Sequence, residues 1–140
     1  MLPANSSKTA ETYINVSRDV LRYEFNDQVI RHAQEAREDI FLNETFALDI
    51  SVRTLVDKAT VFEIEIENLK ETVKYFDVLD FDFLKSGKKQ VEVKLGQIGQ
   101  YRLCFKLANV FKQKVFQIKI KVKILDQDFW EIKKVKIRCV

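Results

Sequence analysis

From Phe46 onward the chain alternates between apolar and polar residues, and this period of two limits the folds that the chain can adopt. The clearest run is VFQIKIKVKIL, Val115–Leu125, in which every second residue is apolar and the residues between them are one glutamine and three lysines. Such alternation predicts a β-strand with one buried face. About seven short runs of this kind follow one another without a helical pattern between them, which is typical of an antiparallel β-sandwich.

The residues before the sandwich predict a helix and an arm. Ser17 is a suitable N-cap, and apolar residues recur at spacings of three and four as far as Ile40, which indicates one long amphipathic helix over 17–42. Residues 1–16 are small and polar, and we interpret them as an extended N-terminal arm that a neighbouring chain holds in place. The sandwich domain is predicted over 46–140.

Composition places the chain among globular domains of common size, with 46% apolar and 32% charged residues. No run of about 18 apolar residues is present, so the sequence predicts no transmembrane segment. The first residues lack the basic and apolar regions of a secretory signal. Two cysteines are too few for a disulfide framework. These features predict an intracellular protein with two free thiols, and they leave mitochondrial and secretory-pathway association open.

No motif of the sequence indicates a catalytic, metal or cofactor site. The single histidine, His32, and the cysteines Cys104 and Cys139 are too far apart in the chain to predict a nucleophilic pair or a zinc site. Asp80 and Asp82 alternate with apolar residues, and we interpret them as the solvated face of a strand over 73–84. Cations beside Cys104 favour a lower thiol pKa, but the sequence predicts no base for it. The chain is therefore expected to act without catalysis and without a cofactor.

The lysines of the opening run belong to a wider charge asymmetry. Residues 1–84 carry 9 Lys and Arg against 17 Asp and Glu, whereas residues 85–140 carry 15 against 4, giving net charges of −8 and +11. Three interpretations stay open. The lysine row pairs internally with an acidic row of the same period, or it forms a basic face for an acidic partner, or it only keeps an edge strand soluble. The acidic row is Glu63, Glu65 and Glu67, and the lysine row is Lys119, Lys121 and Lys123.

The last strand, 129–140, supplies a second basic row. Trp130 and Ile132 are one residue out of phase with the later apolar positions, so we predict a β-bulge at Lys133–Lys134 that re-aims the side chains after it. The first lysine row is then expected to lie partly against the acidic row, and the second to be free for a partner. Since Trp130 is assigned to the apolar face, nucleic acid is the less favoured partner. The second row is Lys134, Lys136 and Arg138.

The segment GQYRLCFKLANVFKQKVFQIKIKV, Gly99–Val122, resembles the end of the GOLD domain, the β-sandwich of Golgi cargo receptors. In that family a Gly-x-Tyr-x-x-Cys-Phe pattern precedes a loop and an alternating strand. The matching positions here are Gly99, Tyr101, Cys104 and Phe105. The resemblance implies a β-sandwich that binds proteins rather than one that catalyses a reaction.

The sequence therefore predicts a protein-interaction module that serves as an accessory subunit of a larger intracellular assembly. A GOLD-like trafficking or cargo adaptor is one alternative, and a basic RNA-associated protein of an organellar ribosome is another. The expected partners are other protein subunits or an acidic surface of protein, RNA or anionic lipid. The candidate contact residues are the two basic rows and three apolar residues of the predicted helix: Lys119, Lys121, Lys123, Lys134, Lys136, Arg138, Leu21, Phe25 and Val29.

Overall fold

The alternating runs of the sequence are strands in the computed structural model, which describes residues 10–18, 35–54, 59–94, 97–125 and 129–140. These residues form nine strands and two short helices. In chain order they are β1 (Ala10–Ser17), β2 (Glu35–Ile40), β3 (Thr45–Thr54), β4 (Thr60–Ile66), α1 (Leu69–Thr72), β5 (Phe76–Val78), α2 (Phe81–Ser86), β6 (Lys88–Val93), β7 (Ile98–Leu107), β8 (Phe116–Ile124) and β9 (Phe129–Cys139).

The strands form two sheets. Sheet A has the strand order β1-β3-β7-β5, and sheet B has the order β2-β9-β8-β4-β6. All neighbouring strands are antiparallel except β2 and β9, which are parallel. The described strands number nine rather than about seven, because β1 and β2 come from the stretch that was assigned to the arm and the helix.

One apolar core lies between the two sheets, in a sandwich-like arrangement. The buried residues of both sheets belong to a single cluster. Phe46 and Phe105 of sheet A stack with ring centroids 5.5 Å apart, and Phe76 of sheet A meets Phe116 of sheet B at 5.4 Å. These rings pack the two sheets against each other. The alternate side chains of each strand point away from this core and line the two outer faces.

The predicted helix over 17–42 is wrong at both of its ends. Ser17 closes strand β1, and residues 35–40 form β2, which pairs with β9. Ala36 and Ile40 are four residues apart, a spacing that fits a helical stripe and one face of a strand equally well. The pairing with β9, which lies far along the chain, selects the strand. Leu21, Phe25 and Val29 lie outside the described residues.

The arm also requires correction where the structure describes it. Residues 10–17 form an eight-residue antiparallel ladder with β3, so this chain itself supplies the partner that was expected from a neighbour. Ala10, Thr12 and Ile14 are buried, and the residues between them are half-buried. Alanine and threonine weaken the hydrophobic alternation, and the sequence pattern therefore missed the strand.

The strand predicted over 73–84 is instead the short β5 followed by helix α2. Asp80 has extended backbone angles, and its carboxylate accepts hydrogen bonds from the backbone N–H groups of Asp82 and Phe83, as an N-cap does. Gly87 ends the helix at φ 74°, a left-handed conformation that glycine adopts without strain. Neither described helix is long and apolar enough to cross a membrane.

Candidate binding face of sheet B

The outer face of sheet B carries the lysine row of β8. The five apolar residues of β8 are buried and point into the core, so the residues between them point outward. Gln117, Lys119 and Lys121 are half-buried on this outer face, and Lys123 is exposed. The predicted division of β8 into a buried face and a basic face is confirmed.

On one side of β8 lies the acidic strand β4. Their register places Glu63 opposite Lys123 and Glu65 opposite Lys121. The backbone N–H of Glu67 donates to the carbonyl of Lys119 over 2.8 Å, which continues the contact past the end of β4. The prediction that the acidic and lysine rows are neighbours in register is confirmed. Opposite charges in such cross-strand positions attract each other weakly at a surface.

On the other side of β8 lies β9, and their register is continuous from Phe116 opposite Ile137 to Ile124 opposite Phe129. The predicted bulge at Lys133–Lys134 is therefore wrong. Without a bulge, the outer face of β9 includes Trp130 and Ile132 as well as the basic row. Trp130 is opposite Lys123, and Lys134 is opposite Lys119.

The continuous register sends two charged residues to the inner side of β9. Glu131 and Lys133 are opposite Val122 and Ile120, which are buried. The Lys133 Nζ lies 2.5 Å from the Glu131 Oε1, and the two side chains are 14% and 29% exposed. This ion pair neutralises both charges at the end of the sheet, which allows β9 to keep a regular register although its alternation changes phase.

Trp130 lies on the basic face, not on the apolar face to which the sequence pattern assigned it. It is 58% exposed, and the Lys121 Nζ sits over its ring at 5.2 Å from the centroid. This is a cation–π contact. In a strand without a bulge, all even-numbered residues of β9 lie on the face opposite to Val135. Trp130 then lies with Lys134 and Lys136, and this was the signal available in the sequence.

Arg138, at the far end of β9, is paired within the chain. Its guanidinium donates two hydrogen bonds to the Asp39 carboxylate of β2, at 2.8 and 2.6 Å. This hydrogen-bonded pair raises the pKa of Arg138. The expectation that Arg138 is left for a partner is wrong for this arrangement, because the sequence did not place β2 beside β9. Lys136 is half-buried opposite Gln117 and has contacts of its own.

The cations that remain on this face form a band, which we call the basic stripe: Lys119, Lys121, Lys123 and Lys134, together with Trp130. In the described part of the chain, ion pairs on this outer face join Lys88 to Glu63 at 3.6 Å and Arg138 to Asp39, and none involves the four lysines of the stripe. Acidic residues of β4 border the stripe along β8, and Asp39 of β2 is opposite Arg138, beyond the end of the stripe.

Other polar groups of the molecule are arranged for structure. The Tyr101 hydroxyl donates to the Asp80 carboxylate, and Lys89 bonds to Asp82 at 2.6 Å. Burial, followed by the bond to Asp80, raises the pKa of Tyr101. Burial likewise raises the pKa of Cys104 more than Arg102 lowers it, so this thiol stays protonated near neutral pH. No three His, Cys, Asp or Glu side chains of the described residues converge as metal ligands would.

The two cysteines lie in different sheets. Cys104 is on β7 of sheet A, and Cys139 ends β9 of sheet B and packs against the core. Both are free thiols.

Comparison with known proteins supports the architecture. No family model matches the chain, so the resemblance to the GOLD domain stays a prediction. The chain is similar in structure to a FixG-related protein from Vibrio parahaemolyticus, with a TM-score of 0.56 and 10% identity over 94% of this chain and 97% of that one. It is also similar to part of a family 123 glycoside hydrolase from Clostridium perfringens, with a TM-score of 0.52 and 10% identity over 95% of this chain and 27% of the hydrolase. At 10% identity both likenesses show the fold alone.

A likeness in sequence covers part of the chain. Sixty-eight residues, 49% of this chain, are 37% identical to the trigger factor of Limosilactobacillus reuteri. The chain matches 15% of the length of that protein. The two structural likenesses show that other proteins share the fold of this chain.

Proposed function

We propose that this chain is a non-catalytic binding module, an accessory component of a larger intracellular assembly, and that its basic stripe contacts an acidic partner. The observation that carries the proposal is the position of Lys134 directly opposite Lys119 on neighbouring strands. Like charges in this position destabilise a sheet. A partner that brings negative charge to the stripe relieves this repulsion.

The basic stripe, not the N-terminal arm, supports a role as an accessory component. The expected neighbouring chain was inferred from an arm without a core, and residues 10–16 of that arm pair with β3 of the same chain. The stripe supports the proposal by a different route, since a concentrated row of cations attracts polyanions over several ångströms and speeds their association.

The test is binding to polyanions by the folded chain and by two matched variants. The first variant is K119Q/K121Q/K134Q, which removes three of the four positive charges of the stripe. The second is K74Q/K85Q/K106Q, which removes the same number of positive charges from a turn that precedes β5, from α2 and from β7 of sheet A. Fluorescence anisotropy of a labelled polyglutamate peptide and of a labelled oligouridine measures the affinity at about 50 mM and about 200 mM salt.

We expect the chain to bind at least one of these polyanions, and the stripe variant to bind it about tenfold more weakly or worse. The control variant should keep its affinity within a factor of about two, because its charges lie away from the stripe. Equal losses in both variants would mean that only net charge matters. No binding to either polyanion at the lower salt concentration would overturn the proposal.

A further inference from the structure

The width of the basic stripe restricts the shape of its partner. Neighbouring strands lie about 4.8 Å apart, so the distance from β4 across β8 and β9 to β2 is about 15 Å. Glu63 and Glu65 border the stripe on β4, and Asp39 of β2 is opposite Arg138, four residues along β9 from Lys134. A flat membrane or a nucleic acid duplex laid on this face would bring its negative charges over these carboxylates. A single extended polyanion follows the stripe and avoids them.

The spacing of the cations fits such a chain. Lys119, Lys121 and Lys123 recur every second residue of a strand, which is about 6.6 Å. This is close to the distance between successive phosphates of an extended single strand. An extended acidic peptide presents carboxylates at a similar spacing, so the lysines alone do not distinguish the two.

Trp130 distinguishes them. Its indole is 58% exposed at one end of the stripe, with the Lys121 ammonium 5.2 Å from its ring centroid. An exposed aromatic ring beside a row of cations is the combination with which proteins hold single strands, because every base has a flat π face that stacks on it. A polyglutamate chain has no such group, and it would leave the indole in water.

We infer that the basic stripe binds a single-stranded nucleic acid, with phosphates against Lys119, Lys121, Lys123 and Lys134 and one base stacked on Trp130. This inference rests on the proposed function and names the chemical class of its partner. The stripe carries no side chains arranged to read base edges, so binding should tolerate any unstructured sequence.

Trp130 is the only tryptophan of the chain, so the intrinsic fluorescence reports directly on the proposed contact. An oligouridine of about twelve nucleotides is titrated into the folded protein. We expect its bases to quench the tryptophan emission as they stack. The affinity should fall with rising salt, with a slope of about −2 to −3 in log–log form for three to four phosphate contacts.

Three variants separate stacking from charge. Trp130→Ala should weaken oligouridine binding about tenfold or more, measured by anisotropy of the labelled strand, with little change in melting temperature. Trp130→Phe keeps a ring and should recover most of the affinity. Phe81→Ala removes another exposed aromatic ring, 75% exposed on α2, and should bind as the unaltered chain does.

Failure of nucleic acid binding can be distinguished from failure of the proposed binding module. If polyglutamate binds and oligouridine does not, the proposed binding module is supported and the inference of a nucleic acid partner is overturned. If oligouridine binds without quenching, or binds equally well to Trp130→Ala, the stacking contact is overturned. If a duplex of the same length competes as well as the single strand, the argument from the width of the stripe fails. If neither polyanion binds, both proposals fail.

Discussion

The outer faces of the two sheets use charged residues in opposite ways. On sheet A, Asp49 of β3 is directly opposite Arg102 of β7, and the guanidinium donates two hydrogen bonds to the carboxylate at 2.6 and 2.9 Å. Their side chains are only 4% and 9% exposed. On sheet B the lysines of the basic stripe stand beside one another at the surface, and none is held in a bidentate pair.

The difference follows from the surroundings of each pair. A buried charge costs several kcal/mol to desolvate, so Asp49 and Arg102 are tolerable only together. The lysines of the basic stripe are half-buried or exposed, so water and salt screen their mutual repulsion. The Asp49–Arg102 pair therefore satisfies two buried charges within the fold, whereas no buried charge depends on the lysines of the basic stripe.

The largest effect should come from breaking the sheet A pair. Asp49→Ala should lower the free energy of unfolding by about 3–5 kcal/mol, because it leaves the Arg102 guanidinium buried without its carboxylate. Urea denaturation measures the change. The double variant Asp49→Leu/Arg102→Met removes both charges and should recover much of the loss. A single variant that costs less than about 1 kcal/mol would mean that the pair is not effectively buried.

A smaller effect should appear at alkaline pH. The pKa of Tyr101 is raised above its ordinary value of 10.0 in the folded chain, so folding favours the protonated phenol. The stability that this hydroxyl provides should be complete below pH 10 and should decline as pH rises further, because the unfolded chain loses the proton first. Thermal melts from pH 8 to 12 should show a weaker decline in Tyr101→Phe, which has no proton to lose.

The Tyr101→Phe variant also loses the bond to Asp80, and should be about 1 kcal/mol less stable at neutral pH. Lys89 provides the comparison, since it forms a more exposed ion pair with Asp82, two residues after Asp80. Lys89→Gln should leave the urea midpoint almost unchanged and should leave the alkaline decline in place.

The smallest effect should come from reversing one charge of the basic stripe. Lys134→Glu places a carboxylate opposite Lys119, so the free energy of unfolding should rise by about 0.2–1 kcal/mol. The same variant should bind polyanions more weakly than the unaltered chain. Denaturation and anisotropy on one preparation measure both. A variant that loses stability would show that Lys134 supports the fold, and the contrast between the two faces would fail.

Much of sheet B followed from local pattern, and much of the candidate site did not. The alternation of β8 correctly predicted its buried face, and the matching period of β4 predicted a neighbour with opposite charge. The phase change near Lys133 was interpreted as a bulge, but the strand keeps its register and pairs Lys133 with Glu131 on the inner side. This one error assigned Trp130 to the wrong face.

The missed elements share a physical cause. β2 carries a spacing that suits helix and strand alike, and β1 contains small residues that blur its alternation. α2 depends on the N-cap at Asp80 and on Gly87, although its apolar residues alternate as in a strand. In each case, local propensity was too weak to determine whether the segment forms a helix or a strand. Hydrogen bonds to distant strands or to a cap determined its secondary structure.

The alternating pattern was enough to predict that most of the described residues form strands, which residues of β8 are buried, and that basic and acidic rows lie on strand faces. These properties depend on the period of two, which is local. Local pattern could not show that Lys119 is opposite Lys134, that Arg138 binds Asp39 or that Trp130 lies among lysines. Such contacts depend on strand order and register, and a register shift of one residue would place every side chain of a strand on the opposite face.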